Sequence, residues 1–288
     1  MDKATQKADV LIEALPYILG FRRKVVVIKL GGSVMDEPER MDAILADIVF
    51  MEHVGMWPVV VHGGGPRISA AMKEEGIEPR WVGGLRYTDE KTLRVAARVL
   101  VEEIGQEIID RLERSGGKGV SMSGRNSGFL IAEKKKASDG VDLGLVGEVV
   151  GVDRELCERL CLGGVIPVVA PIGRDRKGSL YNVNGDSAAS AVAACMRAEK
   201  LVFISDVPGI LSDPKDENTL LSSATRSEIN HLIEEERIAG GMLPKVRAGL
   251  DALQAGVRKV HIVSGLMKHA LLLEIFTRKG VGTEIVPD

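Results

Sequence analysis

The residues best suited to chemistry lie in glycine-rich stretches that directly follow apolar runs. In VVVHGGGPRIS (59–69), three valines lead into His62, glycines 63–65 and Pro66. Glycines at a strand end are consistent with three arrangements. They could form an oxyanion hole of the HGGG type, a phosphate cradle of backbone N–H groups, or a tight turn without chemistry.

Two lysines lie beside such glycines. Lys29 closes the apolar run KVVVIKLGG just ahead of Gly31 and Gly32, where a cation beside bare backbone N–H groups suits phosphate oxygens. Lys245, in GGMLPKVRAG, follows a glycine pair in the first turn of a predicted helix. The helix dipole disfavours a cation there, so a bound anion would account for it. The alternative for both is an ordinary surface lysine.

Further polar residues gather at two predicted helix starts. YNVNGDSAASAVAAC places Asn182, Asn184 and Asp186 ahead of a helix of small residues. Asp186 alone would be explained as a helix cap, but with two asparagines it indicates a polar site. Arg86, in GGLRYTD, suits bidentate carboxylate binding, with a solvated surface arginine as the alternative.

Several enzyme classes are excluded by missing motifs. No serine lies in the G-x-S-x-G elbow that an esterase needs. The GGGPRIS loop lacks the third glycine of G-x-G-x-x-G, and SGGKGV lacks the hydroxyl residue of a Walker A loop. Two lysines, an arginine, one carboxylate and glycine-rich loops instead favour phosphoryl transfer, in which a protein mainly positions groups and neutralises charge.

Composition is consistent with a cytosolic globular enzyme. The 288 residues are 45% hydrophobic and 27% charged, and the formal net charge of −3 gives no basic field for nucleic acid. No apolar run reaches the roughly 18 residues of a membrane span. The odd set Cys157, Cys161 and Cys195 indicates reduced thiols and a cytoplasmic location, and its spacing argues against a metal site.

The elements that must position these residues alternate along the chain. Short β-branched runs at 24–32, 57–65, 164–173, 200–209 and 259–265 do not alternate apolar and polar residues, which is typical of strands buried on both faces. Helical patterns separate them, of which the longest spans 89–116 and the last spans 267–277. The alternation predicts an α/β fold with a mostly parallel sheet, and ligands then bind beyond the carboxyl ends of the strands. A strand-rich stretch at 118–152 predicts antiparallel hairpins.

Taken together, VIKLGGS, VVHGGGP, GLRYTDEKT, YNVNGDSAA, SDVPGIL and GGMLPKVRAGLDALQAGV resemble the amino acid kinase family in type and order, from about residue 10 to residue 286. The resemblance implies an αβα sandwich around a central, mostly parallel sheet. The motifs are most similar to members that use ATP to phosphorylate the side-chain carboxylate of N-acetyl-L-glutamate, giving N-acetyl-L-glutamyl 5-phosphate in arginine biosynthesis.

Carried over by motif, the resemblance implies a role for each residue. Lys29 and Lys245 would stabilise the transferring phosphoryl group, and Asp186 would hold both lysines in place. Substrate would be bound by Gly64, Gly65, Arg86 and Asn182. The nucleotide would be bound by Lys29, Gly31, Gly32, Ser205, Asp206, Gly241, Met242 and Lys245. Mg²⁺ would be held through the ATP phosphates, with no protein metal site. A carboxylate nucleophile is already ionised at neutral pH, so no general base is expected.

The resemblance also implies an organisation and a regulator. Residues 1–22 would be an oligomerisation helix, 23–180 an acyl-amino-acid and dimerisation lobe, and 181–288 an ATP lobe. Apolar residues at helical spacing support an amphipathic helix over 5–20, kinked at Pro16. Such a helix joins dimers into a hexamer in arginine-inhibited members. An L-arginine site would be formed by Tyr17, Lys200, His261, Glu274 and Gly280, with Glu274 pairing bidentately with the guanidinium.

Two other functions are left open by the residues themselves. A sister kinase acting on another acyl acid, such as carrier-bound aminoadipate or glutamate, would need the same glycine loops. A non-catalytic arginine sensor is the alternative from another class, and the presence of both Lys29 and Lys245 argues against it. A PII-type signalling protein is a further expected partner by resemblance.

Overall fold

The computed structural model describes residues 3–136, 140–277 and 280–288. The described strands, in chain order, are β1 (Val25–Leu30), β2 (Trp57–His62), β3 (Trp81–Val82), β4 (Leu85–Arg86), β5 (Gly119–Met122), β6 (Leu130–Lys134), β7 (Val146–Val152), β8 (Ile166–Val169), β9 (Ile172–Arg174), β10 (Leu180–Val183), β11 (Lys200–Ser205), β12 (Ser223–Thr225), β13 (Lys259–Ser264) and β14 (Thr283–Val286).

The described α-helices, in chain order, are α1 (Lys3–Phe21), α2 (Gly32–Met35), α3 (Pro38–His53), α4 (Gly65–Glu74), α5 (Glu90–Ala97), α6 (Gly105–Arg114), α7 (Arg154–Leu162), α8 (Gly185–Cys195), α9 (Arg226–Glu234), α10 (Met242–Gln254) and α11 (Ala270–Phe276). A π-helical segment, Arg98–Ile104, joins α5 to α6, and a short 3₁₀ turn spans Glu217–Thr219. Among the described helices, none is long and apolar enough to cross a membrane.

One eight-stranded sheet runs through the molecule in the order β12-β14-β13-β11-β1-β2-β8-β5. Its neighbouring strands are parallel except β13 and β14. Strand β1 is buried along its whole length, with Val26 and Ile28 in one core and Val25 and Val27 in the other. Helices α3, α4, α5, α6 and α11 cover the first face and α7 to α10 the second. The predicted αβα sandwich is therefore confirmed.

Two smaller sheets flank the main one. Strands β6, β7, β9 and β10 close into a four-stranded barrel, within which β6 and β7 form an antiparallel pair, as the strand-rich stretch predicted. Strands β3 and β4 form a separate two-stranded hairpin. This hairpin and strand β10 carry two of the predicted substrate residues, Arg86 and Asn182, on different elements.

Predicted helix boundaries differ from the structure in informative places. The helix expected from 89 to 116 is capped by Asp89, whose carboxylate accepts the Thr92 N–H at 2.7 Å, and it changes to π-helical geometry at Arg98. The helix expected from 267 begins at Ala270, because His269 adopts left-handed backbone geometry with φ of 59°. The N-terminal helix includes Pro16 and extends to Phe21.

Candidate active site

The carboxyl ends of β1 and β2 open onto a cavity of about 200 Å³. Neighbouring parallel strands end at the same edge of a sheet, so their terminal residues share this space. The β3–β4 hairpin and the start of α8 also line the cavity. The predicted residues that line it are Lys29, Gly32, Gly64, Gly65, Arg86, Asn182 and Asp186.

Lys29 and Asp186 form an ion pair at the base of the cavity. The ammonium Nζ of Lys29 lies 2.7 Å from Oδ1 of Asp186, and both side chains are about nine-tenths buried. The cap of α8 is Asn184, whose side-chain oxygen accepts the N–H groups of Asp186 and Ser187 at 3.0 Å each. The interpretation of Asp186 as a cap is therefore wrong. The asparagine satisfies the helix start and leaves the carboxylate available to the lysine.

The glycines at the ends of β1 and β2 permit close approach. A Cβ on Gly31 would lie 2.9 Å from the Ile204 carbonyl oxygen. A Cβ on Gly64 would lie 2.6 Å from Cδ1 of Ile104 and 2.8 Å from Cδ2 of Leu100. Side chains at these positions would push the two loops away from their supports. The first turn of α4, starting at Gly65, borders the cavity, so a helix N-terminus favourable to anions is present there.

Arg86 is a buried cation without an acidic partner. One guanidinium nitrogen donates to the Gly65 carbonyl at 3.0 Å and to Ser69 Oγ at 2.7 Å, and the group stacks 4.6 Å from the centre of the Trp81 ring. Burial lowers the pKa of Arg86 from its ordinary value. In the described ranges no carboxylate lies within ion-pair distance of it. An anion entering the cavity would supply the missing charge.

Asn182 is tied to the same hairpin. Its side-chain nitrogen donates to Thr88 Oγ1 at 3.1 Å, and the Thr88 hydroxyl in turn donates to the Arg86 carbonyl at 2.9 Å. Both Thr88 and Arg86 are buried. This chain of hydrogen bonds fixes the arginine-bearing strand against the barrel, so Asn182 has a structural role here besides bordering the cavity.

Of the predicted nucleotide residues, Lys29 and Gly32 line this cavity, whereas Gly31, Ser205, Asp206, Gly241, Met242 and Lys245 do not. Ser205 is buried at the end of β11 and donates from Oγ to the exposed Asp206 carboxylate at 3.2 Å. Gly241 and Met242 start α10, and Lys245 Nζ donates to the Gly241 carbonyl at 3.1 Å. Among the described residues, Asp186 pairs with Lys29 and not with Lys245. Lys245 instead donates to the carbonyl at its own helix start, and the role of Asp186 in holding both lysines stays a prediction.

A second cavity, of about 560 Å³, lies at the other end of the sheet. The five residues predicted for an arginine site, Tyr17, Lys200, His261, Glu274 and Gly280, all line it. They come from α1, β11, β13, α11 and the segment after α11, which the sequence separates widely.

Glu274 is the most constrained group in this second cavity. Its Oε1 accepts from His261 Nδ1 at 2.6 Å, and its Oε2 accepts the N–H groups of Val281 at 2.7 Å and Gly282 at 2.9 Å. Burial alone would raise the pKa of Glu274, but the His261 and backbone hydrogen bonds lower it to about 2. Bidentate pairing with a guanidinium is therefore not available in this arrangement, because both oxygens are already engaged.

Helix α1 presents an uncovered apolar face beside this cavity. Val10, Leu11, Ile12 and Leu19 are each more than 60% exposed, and Leu15 is 44% exposed. Tyr17 and Phe21 turn towards the cavity, where the Lys200 ammonium lies 5.3 Å from the centre of the Phe21 ring. One face of the helix is thus anchored while the other remains open.

Three contributors to the active-site cavity were missed by sequence reasoning. Trp81 stacks on Arg86, Ser69 accepts its hydrogen bond, and Thr88 links it to Asn182. The sequence GGGPRIS could have indicated Ser69, since this residue lies one helical turn after Gly65 and so on the same side of the helix. The stacking of Trp81 had no signal, because it depends on the hairpin pairing.

Known proteins resemble this chain over its whole length. The chain matches the amino acid kinase family model over residues 24–264. It is 46% identical to the acetylglutamate kinase of Carboxydothermus hydrogenoformans over 100% of both chains. It is also 46% identical to that of Methanocaldococcus jannaschii, covering 100% of this chain and 99% of the relative.

A solved relative is the N-acetylglutamate synthase of Neisseria gonorrhoeae in complex with coenzyme A and N-acetyl-glutamate. It superposes with a TM-score of 0.84 at 28% identity, covering 98% of this chain and 63% of the synthase chain. This chain therefore spans less than two thirds of that longer protein.

Proposed function

Because the chain belongs to the amino acid kinase family, and within it to the acetylglutamate kinases, we propose that its active-site cavity phosphorylates the side-chain carboxylate of N-acetyl-L-glutamate with ATP. The observation that carries this assignment is Arg86. A buried guanidinium without an acidic partner, beside a lysine and a glycine-rich loop, suits a substrate with one carboxylate to hold and another to react.

The chemistry follows from charge. One oxygen of the substrate side-chain carboxylate attacks the γ-phosphorus of ATP, the new O–P bond forms, and the bond to the β-phosphate oxygen breaks to release ADP. Attack brings two anions together, so fixed positive charge lowers the barrier. Lys29, held by Asp186 at 2.7 Å, is already in position to neutralise the transferring group. The backbone N–H groups of Gly64 and Gly65 add further stabilisation.

We assign the nucleotide to the region formed by Gly31, Gly32, Ser205, Asp206 and the start of α10. On this assignment Lys245 also contacts the phosphates, and residues 23–180 form the acyl-amino-acid lobe and 181–288 the ATP lobe. A cytosolic location and a PII-type partner remain predictions from the sequence.

Mg²⁺ fits this site as an ion carried by the nucleotide. Among the described residues, no group of three or more His, Cys, Asp or Glu side chains could hold a metal. Asp186 is already paired with Lys29. We expect phosphate oxygens and water to supply the ligands, and the bound ion would offset phosphate charge.

The decisive experiment is a coupled ADP-release assay on the full chain with Mg·ATP. We expect turnover with N-acetyl-L-glutamate and little with free L-glutamate. Turnover of another acyl acid alone would reassign the substrate to a sister kinase. Arginine binding without turnover of any acid would replace the kinase assignment with that of a sensor.

We further propose that the cavity of Tyr17, Lys200, His261, Glu274 and Gly280 binds L-arginine and that α1 joins dimers into a hexamer. Support comes from the convergence of the five residues and from the uncovered apolar face of α1. Because Oε2 of Glu274 already accepts two hydrogen bonds and Oε1 accepts one, the guanidinium would donate a single hydrogen bond to Oε1 or displace His261. Glu284, which also lines the cavity, offers a second carboxylate.

Deletion of residues 1–20 tests both parts of this proposal. We expect the truncated protein to form active dimers that arginine inhibits poorly, since α1 carries both the apolar face and Tyr17. Light scattering gives the oligomeric state, and an arginine titration of activity gives the inhibition. A truncated hexamer with full inhibition would remove the helix from both roles.

A further inference from the structure

His62 is a fully buried histidine beside the active site that the chemistry above does not use. It is the last residue of β2, it is 0% exposed, and it directly precedes the glycines that border the cavity. A fully buried titratable side chain is uncommon and usually has a defined hydrogen-bond partner.

The hydrogen bond of His62 fixes its tautomer. Nδ1 lies 3.0 Å from the carbonyl oxygen of Gly63, which can only accept, so Nδ1 carries the proton. Burial, supported by the nearby charges of Lys29 and Arg67, lowers the pKa of His62 to about 4 although the Gly63 bond opposes it. The ring is therefore neutral near pH 7, and Nε2 is unprotonated. Among the described residues this buried Nε2 has no partner.

The Gly63 carbonyl belongs to the same peptide group as the Gly64 N–H. A peptide group is planar and trans, so its C=O and N–H point in opposite directions. Whatever fixes the carbonyl also fixes the N–H. Two consecutive glycines have no side chains to limit their backbone rotation, so this peptide needs an external constraint.

Among the described residues, other contacts hold the loop on both sides of this peptide. The Gly63 N–H donates to the Leu30 carbonyl at 3.1 Å, which ties the loop to β1. Leu100 and Ile104 of the π-helical segment pack where a Gly64 side chain would lie. His62 contributes the hydrogen bond to the intervening carbonyl.

We infer that His62 is a positioning residue: its neutral imidazole, donating from Nδ1 to the Gly63 carbonyl, orients the Gly64 N–H that the glycine loop offers to the reacting oxygens. This inference rests on the proposed kinase function of the cavity. His62 itself touches no substrate and transfers no proton. Its effect is expected in kcat, because an oriented donor matters most where negative charge develops.

Two amide substitutions separate this role from simple core filling. In His62→Asn the side-chain nitrogen occupies the place of Nδ1 and can still donate to Gly63. In His62→Gln the amide reaches the place of Nε2 instead. Both variants bury one uncharged amide, so a purely structural role predicts similar losses. We expect kcat of His62→Asn to stay within about 5-fold of the native value and that of His62→Gln to fall about 10²-fold.

The apolar variant His62→Leu should lose kcat as His62→Gln does. The KM for N-acetyl-L-glutamate should change by less than about 3-fold in all three variants, because the contacts of Arg86 are untouched. Thermal unfolding of each variant checks that the comparison is made on folded protein. Equal activity of the asparagine and glutamine variants, or full activity of the leucine variant, would overturn the inference.

A measurement on the native protein keeps the inference testable if the variants fold poorly. ¹⁵N spectra of histidine-labelled protein distinguish the two neutral tautomers, and variants of the four other histidines, His53, His231, His261 and His269, assign the His62 resonance by elimination. We expect the Nδ1–H form at pH 7, whereas an Nε2–H form would refute the hydrogen bond. This readout needs no substrate, so a failed substrate assignment and a failed role for His62 are distinguishable.

Discussion

Lys29 and Lys245 occupy similar places in the sequence, each beside a glycine pair, yet their surroundings differ. Lys29 is 7% exposed on a central strand, with its ammonium 2.7 Å from a buried carboxylate. Lys245 is half-buried on the first turn of α10, with its ammonium on the carbonyl of Gly241. The first cation is positioned by the fold, and the second is held only by its own helix start.

The difference extends to the two halves of the site. On the side that we propose binds the acid, Arg86, Asn182 and Thr88 form one hydrogen-bonded chain around the cavity. On the side that we propose binds the nucleotide, Asp206 and Gly241 are exposed. A preorganised half loses little freedom on binding, whereas an open half is ordered by its ligand. The acid-binding half should therefore be more sensitive to substitution.

The largest expected effect is that of Lys29→Ala. We expect kcat to fall by about 10³-fold, with the KM for N-acetyl-L-glutamate changed by less than about 3-fold, because this charge acts chiefly in the transition state. Steady-state kinetics measure both. Lys24→Ala, just before the same strand and in a surface ion pair with Glu199, is the matched control and should be close to native. A comparable loss in the control would point to strand stability instead.

Arg86→Ala should act on binding. We expect the KM for N-acetyl-L-glutamate to rise about 10²-fold, roughly the worth of one charge-assisted carboxylate contact, with a smaller change in kcat. Arg80→Ala is the control, since its exposed guanidinium stacks on Tyr87 in the same region. An unchanged KM in Arg86→Ala would remove the carboxylate assignment.

Much of this site could be predicted because its residues lie in recognisable local sequence patterns, and the segments with these patterns end at one edge of the sheet. Short β-branched runs without apolar–polar alternation predicted the parallel strands, and the glycines that follow β1 and β2 predicted their carboxyl ends. The cavity therefore contains Lys29, Arg86, Asn182 and Asp186 as expected. In such a fold, element order alone brings strand ends together.

The sequence could not predict which of two similar polar residues would make a given contact. Asn184 and Asp186 are two residues apart, and either residue type can cap a helix. In the structure the amide of Asn184 caps α8, while the carboxylate of Asp186 pairs with Lys29, which lies on a distant segment. The two backbone hydrogen bonds that Oε2 of Glu274 accepts depend on the path of the chain at Val281 and Gly282, which has no sequence signature. Such details arise from tertiary contacts between distant segments.

Lys245→Ala should have a smaller effect than Lys29→Ala. We expect kcat to fall about 30-fold and the KM for N-acetyl-L-glutamate to stay near native, because this cation acts on phosphate from the less ordered side. Arg247→Ala, an exposed cation on the same helix, is the control for net charge. Equal losses for the two lysine variants would show that both halves are equally preorganised, and the contrast drawn here would fail.

The smallest expected effect is the loss of unfolding free energy as the pH falls. His62 has its pKa lowered to about 4 in the folded protein from an ordinary 6.5, so the unfolded chain binds the proton more tightly between these values. Its contribution is therefore fully present above pH 6.5 and is lost as the pH falls towards 4.

Between pH 7 and pH 5 this one group should cost the native protein about 2 kcal/mol of unfolding free energy. Urea unfolding of native protein and His62→Asn at both pH values measures it, because the asparagine cannot titrate and groups elsewhere contribute equally to both. The native protein should lose about 2 kcal/mol more than the variant over this range. Equal losses would mean that His62 titrates normally. The buried, neutral state that we assign to His62 behind the glycine loop would then be wrong.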